Sequence, residues 1–255
     1  MNIGFDGKRA ANNLTGLGNY SRSLIAHMAQ YFPQNQYFVY SPRVKDHKQV
    51  KSFFNIPGVT LRLADSSFMW RSFGILKQLK RNGIQLYHGL SQELPFGISE
   101  SGIKSIVTIH DLIYLRFPQY FSFINRQIYK YKAEYACKHA DGIIAISEKT
   151  KADLVELLDV PAEKIKVIYQ SCDDSFKQEF SLAFKEQIRE TYELPVKYLL
   201  NVGTIERRKN LMLTVNALAL LPPDVSLVVI GKQQPYALEV QHLIAQLGLK
   251  DRVVF

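Results

Sequence analysis

Residues 202–211 read VGTIERRKNL, and they connect an apolar run over residues 198–202 to a segment with helical spacing. The apolar positions of that segment recur three and four residues apart, at Leu211, Val215 and Leu218. The stretch therefore predicts a strand, a turn at Gly203 and three consecutive cations at the start of a helix. A helix start favours an anion by about 0.3–2 kcal/mol. Charged hydrogen bonds to phosphate add about 1.5–3 kcal/mol each, so we expect a phosphorylated ligand here.

The composition is that of a globular protein with anionic partners. The 255 residues allow one large domain or two modest ones, and a hydrophobic content of 47% is sufficient for a core. The net charge of +9 favours nucleotide phosphates, acidic lipid surfaces or nucleic acid as partners. Two cysteines, Cys137 and Cys172, are too few for a disulfide framework and indicate a reducing compartment.

Apolar runs and their flanks indicate where the protein resides. No signal peptide precedes the first apolar segment, and no apolar run approaches the roughly 20 residues that cross a bilayer. We therefore expect a cytoplasmic protein, with peripheral contact at the inner face of the membrane. Residues 68–81 and 118–132 mix aromatic side chains with cations, so either segment could lie on an anionic membrane. The other interpretation is an amphipathic helix whose apolar face packs on a sheet.

Short apolar runs alternate with longer helical patterns along the chain, which is typical of a parallel sheet wound by helices. Helices are predicted to begin near Gly18, Lys45, Phe68, Phe121 and Ser147. The predicted strands of the first half are residues 2–6, 36–41, 59–63, 85–88, 104–110, 142–146 and 164–169.

The second half repeats this pattern after a polar segment. The predicted elements there are strands over 197–202, 225–231 and 252–255, and helices over 181–192, 210–221 and 235–247. We expect a first domain over residues 1–172, a linker and connecting helix over 173–196, and an incomplete second domain over 197–255. Because the chain ends inside a strand, the half sheet should have an open apolar edge, and we expect the chain to be truncated.

Four motifs in order resemble glycosyltransferase family 4. They are TGLGNY at 15–20, VTIHDL at 107–112, ISEKT at 146–150, and the quoted VGTIERRKNL. The resemblance implies the GT-B architecture: an α/β fold of two Rossmann-like, doubly wound parallel-sheet domains, the second incomplete here. It also implies retaining sugar transfer from a nucleotide-sugar, without a metal ion or another cofactor. The first domain then binds the acceptor, and the second binds the donor.

The resemblance assigns the quoted corner to the donor's diphosphate. Gly203 and Thr204 form the turn, and Arg208 and Lys209 contact the phosphates, where they stabilise the charge that develops on the leaving group. A solvated basic turn is the alternative. Arg207 replaces a proline that is common in the family, so we expect it to face solvent or acidic lipid.

Two residues are predicted near the transferred sugar. His110 follows an apolar strand, and the carboxyl ends of parallel strands face the ligand crevice. By resemblance, His110 contacts a sugar hydroxyl, whereas a lone histidine bonded to backbone is the alternative. Asp111 either orients His110 or caps the next turn. No nucleophile accompanies them, so a catalytic triad is not implied.

The remaining candidates lie on other turns of the first domain. Gly16 and Gly18, with Asn19 and Tyr20, either allow backbone to approach a ligand or serve a tight turn. His88 and Ser147 are candidates for the acceptor side. His88 is equally well explained as a structural turn residue, and Ser147 caps a helix in either case.

These observations lead to one main functional hypothesis and two alternatives. We expect transfer of a sugar, with mannose from GDP-mannose preferred, to a glycan or lipid-linked acceptor in cell-surface polysaccharide or lipopolysaccharide synthesis. The family's pair of glutamates in the second domain is missing, so this chain should be inactive alone. The first alternative is a non-catalytic module that binds sugar-nucleotide or glycan. A nucleic-acid binder is disfavoured, because the basic residues are scattered and no nucleic-acid motif is present.

Overall fold

The computed structural model describes residues 1–65, 69–172 and 174–255, apart from the side chains of residues 174 and 175. The chain divides into two compact units, Met1–Phe176 and Lys177–Phe255. The boundary lies inside the segment 173–196, which was expected to connect two domains. Each unit contains its own hydrophobic core and its own sheet.

The first unit alternates strands with helices in the order expected for a doubly wound fold. Its described elements are β1 Asn2–Asp6, α1 Lys8–Asn12, α2 Gly16–Tyr31, β2 Gln36–Ser41, α3 Lys48–Phe54, β3 Val59–Leu63, α4 Ile75–Arg81, β4 Leu86–Gly89, β5 Lys104–Ile109, α5 Ile113–Arg116, α6 Phe123–His139, β6 Gly142–Ala145, α7 Glu148–Leu158 and β7 Ile165–Val167. The described strands form one parallel sheet in the order β3-β2-β1-β4-β5-β6-β7.

The strand order reverses between β1 and β4, and this fixes where a ligand can enter. From β1 the chain proceeds outward to β2 and β3, then returns to place β4 on the other side of β1. Loops leave the carboxyl ends of β1 and β4 in opposite directions, which opens a crevice between them. The turns after β1, β4 and β5 therefore border this crevice.

Both faces of the first sheet are covered by apolar side chains, as parallel strands require. Neighbouring residues of a strand point to opposite faces. Tyr37 and Val39 of β2 accordingly pack in one buried cluster with Phe5 of β1, whereas Tyr40 packs in another with Val107 of β5. The sheet is thereby held rigid, and the residues that follow its strands are fixed in position.

The second unit contains a smaller parallel sheet. Its described elements are α8 Leu182–Thr191, β8 Tyr198–Val202, α9 Leu211–Ala219, β9 Ser226–Ile230, α10 Tyr236–Gln246 and β10 Val253–Val254, with strand order β10-β9-β8. Residues of α9 and α10 pack on β9 around the buried Val215, Leu227 and Val240. The open apolar edge expected from the sequence is β8, where the side chain of Val202 is 70% exposed.

Most differences from the expected elements are shifts of one to three residues. The helix expected near Lys45 begins at Lys48, because His47 caps it by accepting a hydrogen bond from the Gln49 amide. The helix expected near Phe121 begins at Phe123, capped by Ser122. The start expected at Phe68 lies outside the described residues. The short helices α1 and α5 were not predicted, because four or five residues show no helical period.

Candidate active site

His110 follows β5, and both of its ring nitrogens have partners. Nε2 lies 2.9 Å from the Leu90 carbonyl oxygen, and Nδ1 lies 3.0 Å from the side-chain amide nitrogen of Gln170. A carbonyl oxygen can only accept, so Nε2 carries the proton and Nδ1 accepts from Gln170. Burial lowers the pKa of His110, and the charge of Arg9 lowers it further, against the opposing effects of the Leu90 hydrogen bond and of Asp111. His110 is therefore a neutral imidazole with an acceptor at Nδ1.

Asp111 does not orient this imidazole by a direct hydrogen bond in the described structure. Its Oδ1 accepts from the Ile113 amide at 3.3 Å, and its backbone carbonyl accepts from the Gln92 side chain at 2.8 Å. Asp111 thus caps the start of α5, which is the second of the two roles considered for it. Its negative charge still acts on His110 by raising its pKa.

Two hydrogen bonds and one ring contact connect the two histidines of the crevice. The Thr108 hydroxyl lies 2.8 Å from His88 Nε2 and 3.0 Å from the Tyr20 hydroxyl. The Tyr20 ring meets the His110 ring edge-on, with 4.8 Å between centroids. Burial lowers the pKa of His88 to about 4, with a smaller contribution from His110. His88 is thus a buried neutral residue, held in the crevice wall by Thr108.

Ser147 caps α7, as the sequence predicted. Its hydroxyl accepts from the Thr150 amide at 3.1 Å. The Thr150 hydroxyl in turn donates to the backbone carbonyl of His110, at 3.1 Å. Through Thr150, the start of α7 fixes the backbone at the end of β5.

Gly16 and Gly18 open α2 with different roles, and neither has a positive φ. A side chain at Gly16 would meet no atom within 4 Å, so its backbone is open to the surroundings. A Cβ at Gly18 would lie 1.7 Å from the Asn13 carbonyl oxygen, so this glycine is required for packing. The Asn19 side-chain oxygen accepts from Arg22 at 2.6 Å, which occupies it within the fold. Among the glycines of this turn, Gly16 is the one that a ligand can approach.

A buried charge network lies beside the crevice, and it was not predicted because its members are far apart along the chain. Arg71 donates from Nε to Asp6 at 2.9 Å, and its Nη2 also pairs with this carboxylate. Arg71 Nη1 reaches Glu93 at 2.8 Å, and Lys132 reaches the other oxygen of Glu93 at 2.8 Å. The network joins the end of β1 to the loop after β4. Thr108 and Gln170 were likewise missed, although Thr108 lies within the VTIHDL motif.

The corner of the second unit has the backbone that the sequence predicted. Gly203 has φ +149°, a conformation that favours glycine, and its amide donates to the Ile230 carbonyl at 2.8 Å. A Cβ at Gly231 would lie 1.8 Å from the Gly203 carbonyl oxygen, so two glycines pack together here. Thr204 follows, and a short turn over Arg207–Lys209 leads into α9.

The three cations of this corner have different partners. Arg207 forms an ion pair with both carboxylate oxygens of Glu239, at 2.5 and 2.6 Å, and lies 5.3 Å from the centroid of the Tyr236 ring. Its side chain is therefore directed at α10 and not, as expected, at solvent or acidic lipid. Arg208 pairs with Glu206 at 2.6 Å. Lys209 is exposed, and within the described part of the chain its ammonium has no carboxylate partner. Lys209 is thus the cation most available to a ligand.

The two aromatic segments of the first unit are brought together. The Phe96 ring lies between them, with centroids 4.9 Å from Phe73 and 6.1 Å from Tyr131. The carboxyl half of α6 packs inward through Ala133, Ala136 and Cys137, in agreement with the amphipathic interpretation. At its amino end, however, the side chains of Phe123 and Ile124 are 68% and 70% exposed.

Residues 1–65, 69–172 and 174–255 contain neither a metal-binding cluster nor a membrane-spanning helix. No group of three or more His, Cys, Asp and Glu side chains is placed to hold a metal ion there. No helix in these ranges combines the length and the apolar character that crossing a membrane requires.

Comparison with known proteins identifies relatives of both units. The Glycosyltransferase Family 4 profile matches residues 14–176, and the profile of Glycosyl transferases group 1 matches residues 184–255. The serotype-specific mannosyltransferase WbdA of Escherichia coli is 26% identical over 182 residues, which are 66% of this chain and 22% of WbdA. The O-antigen chain mannosyltransferase RfbU of Salmonella typhimurium is 25% identical over 149 residues, which are 58% of this chain and 38% of RfbU.

A solved structure shows the same fold. The crystal structure of Anabaena Alr3699/HepE in complex with UDP-glucose superposes with a TM-score of 0.66 at 19% identity, covering 100% of this chain and 68% of HepE. The chain thus spans about a fifth to two fifths of the two curated relatives and about two thirds of HepE. The fold is that of the GT-B glycosyltransferases. Because the first profile covers more than half of the residues, the chain belongs to Glycosyltransferase Family 4.

Proposed function

We propose that the protein is a retaining glycosyltransferase, which moves a sugar from a nucleotide-sugar to a glycan or a lipid-linked acceptor. The setting is the synthesis of cell-surface polysaccharide or lipopolysaccharide, and GDP-mannose is the donor that we favour. Two relatives support this choice, because WbdA and RfbU are mannosyltransferases and RfbU acts on the O-antigen chain. The choice of a nucleotide-sugar as donor is supported by HepE, whose crystal structure contains UDP-glucose.

The observation that carries the proposal is the Lys209 ammonium at the start of α9, which has no carboxylate partner among the described residues. In the proposed reaction, negative charge develops on the departing nucleoside diphosphate. A fixed cation stabilises this charge more strongly than it stabilises the bound substrate, and this difference accelerates the reaction. Arg208 can join Lys209 only if its pairing with Glu206 at 2.6 Å is exchanged for the phosphate. Gly203 and Thr204 supply the turn that presents these cations.

His110 is proposed to contact the reacting sugar through Nδ1. Because Nε2 donates to Leu90, Nδ1 can only accept, and a sugar hydroxyl is a suitable donor. In this structure the Gln170 side chain occupies that position at 3.0 Å. Gln170 is otherwise exposed, so a ligand hydroxyl can replace it without opening the core. No covalent intermediate is proposed, and the leaving diphosphate assists substitution on the same face of the sugar.

Nucleotide binding by Lys209 variants tests the donor site directly. We expect GDP or GDP-mannose, titrated calorimetrically, to bind Lys209→Ala about 10–100-fold more weakly, the loss of one charged hydrogen bond. Lys250→Ala is the matched control, because Lys250 is an exposed lysine of the same unit outside the corner. Equal affinities of the wild-type chain and Lys209→Ala would remove the basis of the proposal. The same titrations with UDP and UDP-glucose identify the preferred base.

The alternative of a non-catalytic module has a separate signature. A binding module would hold the nucleoside diphosphate with the same dependence on Lys209, but the protein would not transfer sugar to any acceptor. Release of GDP from GDP-mannose, with appearance of a mannosylated acceptor in membrane extracts, would favour the transferase.

Peripheral contact with an anionic membrane is part of the proposal. Ile124, Ile128 and Tyr131 recur with helical spacing and share one face of α6, which continues to the ring of Phe96 and to Phe73. We call these five residues the aromatic surface. The exposed Lys77 and Lys80 follow Phe73 by four and seven residues, so cations flank an apolar patch. Such a pattern suits the interface of an acidic bilayer.

Vesicle sedimentation tests this contact. We expect the wild-type chain to sediment with phosphatidylglycerol vesicles more than with phosphatidylcholine vesicles, and Ile124→Asp to reduce that binding strongly. Leu213→Asp is the control, because Leu213 is 65% exposed in the other unit. Unchanged sedimentation of Ile124→Asp would exclude the aromatic surface as the contact.

A further inference from the structure

Two adjacent cations follow β1 at the crevice of the first unit and lack carboxylate partners. Lys8 and Arg9 begin α1, whose next residues, Ala10 and Ala11, are fully buried against the fold. Lys8 is exposed and Arg9 is half-buried. Within the described residues, neither cation forms an ion pair, and Arg9 Nε is buried without any hydrogen-bond acceptor.

This pair of cations lies where the strand order of the sheet reverses, between β1 and β4. Arg9 follows β1, yet its charge reaches His110 at the end of β5, and β4 lies between these strands. Lys8 lies within electrostatic reach of Arg71, Asp6 and Glu93, which join the ends of β1 and β4. The two cations therefore border the crevice beside His110.

The neighbouring carboxylates are already used by other cations. Asp6 is held by Arg71, and Glu93 is shared between Arg71 and Lys132. Within the described residues, Lys8 and Arg9 are thus the cations left without an ion pair, although the charge of the exposed Asp111 also acts at this crevice. A buried guanidinium donor without an acceptor is destabilising unless a ligand supplies one. An anionic ligand would supply the acceptor that Arg9 Nε lacks.

We propose that Lys8 and Arg9 bind a phosphate group of the acceptor, which makes the acceptor a phosphate-linked molecule such as a lipid diphosphate. This inference rests on the proposed function, because it assigns the acceptor of the same reaction. A guanidinium presents a planar fork of donors that matches a phosphate, and a lysine adds a point charge. The donor's own diphosphate has a separate cation, Lys209. A phosphate beside His110 would hold the acceptor at the crevice where the sugar is transferred.

Titration with geranyl diphosphate, pyrophosphate and geraniol tests the site and separates its possible ligands. The chain carries Lys209→Ala in these titrations, so that the corner of the second unit does not contribute. We expect geranyl diphosphate to bind, geraniol not to bind, and Arg9→Gln or Lys8→Gln to weaken binding by at least tenfold. Arg9→Lys should restore part of the affinity. Lys138→Gln is the control, because it removes an exposed cation that precedes β6 at the opposite end of the sheet.

Folding does not confound the result. Arg9→Gln removes a buried donor that has no acceptor among the described residues, so its thermal unfolding should match that of the parent chain. Unchanged affinity for geranyl diphosphate in Arg9→Gln would overturn the proposal. If pyrophosphate binds as tightly as geranyl diphosphate, the site binds phosphate and the hydrocarbon chain adds nothing to the affinity.

One further outcome separates this site from the donor site. If Arg9→Gln, with Lys209 intact, weakens GDP binding but leaves geranyl diphosphate unaffected, the ligand is the donor and the acceptor assignment is wrong. If instead Lys209→Ala leaves GDP binding unchanged, the donor proposal fails while the geranyl diphosphate result stands independently.

Discussion

Acidification should destabilise the first unit through His88. This side chain lies at the end of β4, packed against the Phe5 ring and bonded to the Thr108 hydroxyl at 2.8 Å. Burial is the main reason that its pKa falls from 6.5 to about 4, and the nearby His110 adds to the effect. The folded protein therefore resists protonation of His88, whereas the unfolded chain does not.

The magnitude follows from this difference in pKa. Between pH 6.5 and pH 4 the unfolded chain binds a proton at His88 that the folded chain does not bind, so acid favours unfolding. One pKa unit corresponds to about 1.36 kcal/mol, so His88 contributes about 3 kcal/mol to the unfolding free energy. The contribution is complete above pH 6.5 and is lost as the pH falls toward 4.

Urea unfolding followed by tryptophan fluorescence measures this effect in the first unit, where His88 lies. Trp70 is the single tryptophan of the chain and is buried in the first unit. Unfolding free energies are compared between pH 7 and pH 4 for the wild-type chain and for His88→Gln. The wild-type chain should lose about 3 kcal/mol more than the variant, because the variant lacks the titrating ring. His139→Gln is the control for loss of a partly exposed histidine.

Subtracting the variant removes the contribution of carboxylates, which titrate over the same range in both chains. A wild-type chain and a His88→Gln variant with the same pH dependence would refute the reasoning. Such a result would mean that His88 is either protonated in the folded state or hydrated in a way that its burial does not indicate.

Three further predictions concern stability. Arg71→Met should reduce the unfolding free energy of the first unit by about 3–5 kcal/mol, because it leaves the buried carboxylate of Asp6 without its cation, whereas Glu93 keeps Lys132; a loss below about 1 kcal/mol would contradict the network's importance. Gly18→Ala should destabilise the first unit by about 1–3 kcal/mol, since its Cβ would meet the Asn13 carbonyl oxygen at 1.7 Å. Gly16→Ala should have little effect, because a side chain there meets no atom within 4 Å. Equal unfolding curves of the two variants would contradict this prediction. Arg207→Ala should cost at most about 1 kcal/mol, because its ion pair is exposed, and nucleotide titration should show unchanged affinity.

The sheet was predictable because local patterns determine it. Strands at residues 2–6, 36–41 and 59–63 begin and end where the sequence predicted, since short apolar runs bounded by polar residues leave little choice. The helix capped by Ser147 was predicted for the same reason, because a cap acts within its own turn. Helices of four or five residues were missed because they are shorter than one apolar repeat.

Only part of the chemistry of the sites could be predicted from the sequence. The sequence alone determined that His110 ends a strand and that Lys209 precedes a helix, because both facts depend on neighbours along the chain. Only the tertiary structure decided that Gln170 occupies His110 Nδ1, that Arg71 joins Asp6 to Glu93, and that Arg207 turns toward Glu239. Each of these contacts spans 30 or more residues or joins separate loops, and electrostatic partners at such distances are selected by folding rather than by local pattern. For the same reason, only the tertiary structure decided that Lys8 and Arg9 form no ion pair among the described residues, since Asp6 and Glu93 are held by Arg71 and Lys132.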